Sequence, residues 1–237
     1  MAGSDGAAVI FCLSQIHTGT VSVLAWLGAH EDCDGVLLST EVYESGREPA
    51  TVYHEHVRPD DRERGKIARS QVVLAWAHPT VIPLRDPLAA LVSYRHRAVL
   101  TGQAGTTRYR PMEDVVDRWC LLAETEERFG GFEHIRYLAW DLPELESRRP
   151  DREGARMRSI GLWATAQALG LTDPAPSTAG LPRENSSGAY RLREAYDAGD
   201  LEALMSIRAV RHLRNREELL RPFLERRGYR DLLWWSS

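Results

Sequence analysis

The chain has 237 residues, 43% hydrophobic and 27% charged, with a formal net charge of -4; this suits one α/β-sized globular domain over 1–237 and is short for two. An acidic balance, with arginines interleaved among carboxylates, argues against general nucleic-acid binding, which needs a clustered basic surface. Cys12, Cys33 and Cys120 are odd in number, widely spaced and form no Cys-x-x-Cys pair, so neither a disulfide framework nor a zinc site is expected, and a reducing cytoplasm fits.

In chain order, an apolar run predicts a strand over 8–13, too short for a signal or membrane segment, so no membrane partner is expected. A loop of small and polar residues, Ser14 to Thr20, leads into a predicted helix over 20–29. Strands over 34–42 and 51–57, a helix over 60–77 and a strand over 80–84 follow, then helices over 86–100 and 111–129 and a strand over 133–139. Alternating strands and helices imply a parallel β-sheet flanked by helices, with a helical C-terminal part. Pro83 removes a ladder donor and argues for an edge position or a strand end. Beyond residue 172 the composition is that of a connecting segment, after which Leu213, Leu219, Leu220, Phe223 and Leu224 keep helical spacing up to Gly228.

Two loops carry anion chemistry. Arg85 stands at the carboxyl end of a short strand, Pro87 suits a helix's first turn, and Ser93 lies two turns into that helix, so a guanidinium and a hydroxyl approach one crevice. The plainer account is a helix capped by Asp86 with an ordinary arginine before it. Upstream, Thr18, Gly19, Thr20 and Val21 turn a strand into a helix and aim backbone N–H groups at one point.

The run Val52-Tyr-His54-Glu-His56-Val57 alternates, which puts His54 and His56 on one face of a strand and Glu55 on the other. Two imidazoles on one face suit a metal, yet no third ligand stands at a recognisable spacing, and none is assigned. An ordinary half-exposed strand is the structural alternative. Trp140 ends the strand FEHIRYLAW, where an indole either stacks on a purine or packs in the core.

These motifs resemble the sulfotransferases that use 3'-phosphoadenosine 5'-phosphosulfate (PAPS) and release the bisphosphate PAP. That family has a strand followed by Pro-Lys-Ser-Gly-Thr-Thr, over which Ile16-His17-Thr18-Gly19-Thr20-Val21 lies, and a strand ending in Arg, Asp, Pro with a Ser eight residues after the Arg, as in Arg85, Asp86, Pro87 and Ser93. The resemblance implies a P-loop-like sulfotransferase fold, with 5'-phosphosulfate at the first loop, 3'-phosphate at Arg85 and Ser93, and adenine against Trp140. It also implies that His56 is the general base, since the family's Lys-Thr-His falls on His54 to His56, and that His17 and His54 help stabilise the leaving group. The expected activity is sulfuryl transfer to a small-molecule hydroxyl, such as that of a secondary metabolite; a nucleotide-dependent kinase or a non-catalytic nucleotide-binding protein are the alternatives. A homo-oligomer is compatible with the sequence.

The chain departs from the family where His17 replaces lysine, Ser22 replaces an aromatic residue, and the third cofactor motif is not clearly matched, with Arg183 and Asn185 the nearest stand-ins. An unperturbed imidazole is mostly neutral above pH ~6.5, so His17 supplies charge only when protonated. If His17 takes the lysine's role, turnover falls as pH rises and His17→Lys flattens that profile; an unchanged profile in the variant overturns the assignment.

Overall fold

Short apolar and β-branched runs pair into one all-parallel sheet whose strands are β1 (Ile10–Ser14), β2 (Val36–Leu37), β3 (Val52–His56), β4 (Thr80–Leu84) and β5 (Ile135–Ala139), in the order β2-β3-β1-β4-β5. The computed structural model describes residues 9–16, 18–31, 33, 36–37, 52–63, 65–100, 102, 111–130, 132–139, 165–171 and 207–229. Its helices are α1 (Thr20–Gly28), α2 (Arg69–Ala77), α3 (Pro87–Leu100), α4 (Met112–Phe129), α5 (Ile207–Arg214) and α6 (Glu217–Glu225). The α/β class with a parallel sheet between helices is therefore observed.

Strand alternation sorts the core into two layers. Ile10, Cys12, Val52, Val81 and Leu138 point to α1, packing on Val23, Leu24, Trp26 and Leu27. Phe11, Leu13, Tyr53, Ile82 and Leu84 point to the other face, under α2, α3, α4 and the C-terminal helices. The chain leaves β1 toward the β2 side and β3 toward the β4 side, with α1 and α2 on opposite faces. Such a switch point opens a crevice at the carboxyl ends of the strands.

Three expectations are corrected. Ser14 is the last residue of β1, not the first of the loop. The helix expected over 60–77 begins at Arg69, because Asp60 accepts the backbone N–H groups of Arg62, Glu63 and Arg69, and Pro59 bridges Ile67 around Gly65 at φ 76°. Pro83 is neither at an edge nor at a strand end: β4 runs between β1 and β5, and Pro83 pairs with Leu138. It is tolerated because the β1–β4 ladder covers Phe11↔Thr80 and Cys12↔Val81 and stops before it. Of the strand expected over 34–42, residues 36–37 are seen as β2 and the remainder lies outside the described residues.

The C-terminal helices are fastened by one arginine. Arg227 lies between the rings of Tyr137 and Phe223, 3.9 and 4.0 Å from their centroids, and donates to Glu126 at 2.6 Å. Burial raises the Glu126 carboxyl, but the bonds from Arg226 and Arg227 outweigh it and hold the pKa below the usual range. The resulting stabilisation is present above the ordinary carboxylate range and is lost as pH falls through the lowered pKa. Arg227→Ala is expected to cost about 2 kcal/mol in urea unfolding at neutral pH, with a smaller loss in acid, where Glu126 is protonated.

Candidate active site at the carboxyl edge of the sheet

The register of β1 with β3 pairs Cys12 with His54 and Ser14 with His56, so all four share the α1 face. There the Ser14 hydroxyl meets both imidazoles, 2.8 Å from Nε2 of His54 and 3.1 Å from Nδ1 of His56. The two rings stand edge to face with centroids 4.8 Å apart. Ser14 and His54 are buried, whereas His56 is exposed. A buried hydroxyl between two imidazoles, one of them reaching solvent, can fix ring orientation and tautomer. Ser14 was missed as a site residue, since only strand pairing, invisible in one dimension, sets it beside residues forty positions away.

The opposite face of β3 is braced by a polar network. Buried Glu55 accepts from Gln71 Nε2 at 2.6 Å and from Arg58 Nη2 at 3.2 Å. Gln71 also donates to the His56 carbonyl at 2.8 Å and accepts the Arg58 backbone N–H at 3.0 Å. Arg118 on α4 donates to the Val57 carbonyl, and its own carbonyl accepts from Gln15. The ends of β1 and β3 are thus tied to one helix. Beside Arg118 a cavity of about 650 Å³ opens between the 59–65 turn, α4 and Arg216.

The loop after β1 folds on the Gln15 carbonyl, which accepts from the hydroxyl of Thr18 at 3.0 Å and that of Thr20 at 3.5 Å. Gly19 sits at φ 82°, a left-handed conformation natural to glycine, and its carbonyl accepts the first helical bond of α1 from Val23. Val21 points outward at 48% exposure, so its side chain is turned to solvent.

Arg85 directly follows β4 and is buried; Ser93 is buried on α3. Asp86 accepts the Ala89 N–H at 2.9 Å and caps α3, as the plainer account of this motif holds. Running the Cys12↔Val81 register on by four residues brings Arg85 level with Ile16, and strand alternation assigns Arg85 the same face as Val81. Ser14, His54 and His56 form one bonded cluster on that face. His17 and Trp140 lie outside the described residues, as do Arg183 and Asn185.

Among the described residues no three His, Cys, Asp or Glu side chains are grouped to hold a metal ion, and no helix is long and apolar enough to cross a membrane. Comparison with protein-family models, with curated proteins and with solved structures found no match to this chain.

Burial, and after it the neighbouring His56, push the His54 imidazole from 6.5 down to about 3. Between those values the unfolded chain holds a proton that the folded one does not, so stability is present above the upper value and is lost as pH falls toward the lower. Equilibrium unfolding should show a smaller loss over this window in His54→Gln than in the unaltered chain; equal losses would mean that His54 titrates normally.

Proposed function

We propose that the chain transfers a sulfuryl group from PAPS to a hydroxyl of a small-molecule acceptor, with His56 as general base. The observation that carries this is the Ser14–His54–His56 cluster, seated at the carboxyl end of β1 at the point where the chain leaves for a glycine turn and a helix N-terminus. An exposed imidazole held by a buried neighbour is the arrangement a proton acceptor at a cleft requires. The register that brings Arg85 level with the β1 loop supports a donor spanning both, its phosphates facing the loop amides at one end and a guanidinium at the other.

In the transfer, the acceptor oxygen bonds to sulfur as its proton passes to His56, and the bond from sulfur to the 5'-phosphate oxygen breaks, leaving the electron pair on PAP. Most of the acceleration then comes from positioning and from stabilising charge on the departing oxygen. His54, neutral at working pH, offers hydrogen bonding there and no positive charge. Charge is left to Arg85, the loop amides and a protonated His17.

Calorimetry tests the donor class. The bisphosphate PAP is expected to bind more tightly than ATP without magnesium, and Arg85→Ala to weaken it about tenfold or more; magnesium-dependent preference for ATP would instead make the chain a kinase. His56→Ala is expected to keep PAP binding and lose transfer on the order of 10²–10⁴-fold. A chain that binds PAP and transfers to no acceptor is a binding protein.

A further inference from the structure

A serine hydroxyl has one proton to give, so between two neutral imidazoles it donates to one and accepts from the other. Two arrangements are open: Ser14 donates to His54 and accepts from His56, or the reverse. Hydroxyl donors make the shorter bonds and ring N–H donors the longer. The 2.8 Å contact to Nε2 of His54 and the 3.1 Å contact to Nδ1 of His56 match the first arrangement in both lengths. We infer that Ser14 is a positioning residue that holds His56 in the Nδ1–H tautomer and thereby keeps Nε2 as its proton-accepting nitrogen.

The burial pattern supports the lock. Ser14 is fully buried and His54 nearly so, which excludes water that would compete for the hydroxyl, while His56 at the strand end is exposed. Burial also keeps His54 uncharged, so that its Nε2 remains an acceptor whatever the state of His56. When His56 takes a proton at Nε2, its Nδ1–H bond to Ser14 is retained and becomes charge-assisted, and no group must turn. In the reverse arrangement, protonating His56 would face Ser14 with two N–H donors and leave the hydroxyl proton without its acceptor.

The catalytic consequence rests on the sulfotransferase reading; the tautomer does not. Nitrogen-15 spectra of the full-length, histidine-labelled chain at neutral pH should show His56 mainly as the Nδ1–H form, shifting toward Nε2–H in Ser14→Ala and restored in Ser14→Thr. His56 found mainly as Nε2–H in the unaltered chain overturns the inference without recourse to any variant, and so does an unchanged ratio in a folded Ser14→Ala. With PAPS and an accepted alcohol, Ser14→Ala should lower kcat on the order of 10–100-fold with KM and PAP binding little changed. A Nδ1–H signal that depends on Ser14, in a chain that transfers no sulfuryl group to any alcohol, would support the lock and count against the sulfotransferase reading.

Discussion

The parallel ladder between β1 and β3, from Ile10↔Val52 to Ser14↔His56, is the constraint on which the site depends. Side chains alternate across a strand, so a slip of one residue would turn His54 and His56 away from Ser14 and bring Glu55 to the α1 face. The register is specified by burial on both sides: Ile10, Cys12 and Val52 fit one core layer, Phe11, Leu13 and Tyr53 the other. Core packing therefore determines which polar groups meet at the strand ends.

Precision at such a site also needs a fixed backbone. The Gln71 carboxamide holds the His56 carbonyl and the Arg58 N–H at once, while its Nε2 shares Glu55 with Arg58. Arg118 binds the carbonyl beyond β3 and receives the side chain beyond β1. Buried polar networks of this kind are costly when half satisfied, so each member constrains the others. The face carrying the imidazoles is rigid because the opposite face is tied to α2 and α4.

Much of this was legible in one dimension. Apolar runs, Pro87 after Asp86 and the glycine turn at 19 located the strands, the cap of α3 and the first loop, since each depends on local chemistry. His54 and His56 could be assigned a common face from period alone. What was not legible depends on pairing or on turn structure. Ser14 looked like a loop residue until the ladder extended to it, and residues 60–68 looked helical because their charged and apolar spacing hides the Asp60 turn. Pro83 looked like an edge marker, because sequence does not reveal how far a neighbouring strand stays in step. His17 and Trp140, and the family resemblance that gave them roles, stand on sequence alone.

Pro83 has a geometric outcome for the sheet. An imino residue interrupts the stitching of β4 to β1 while β4 stays laced to β5 along its full length. The sheet is therefore forked at one margin, its prongs being β3 with β1 and β4 with β5. Whatever enters between them meets imidazoles on the first prong and a guanidinium on the second, and the spacing of the tines, rather than any single side chain, sets the breadth of molecule that can bridge both.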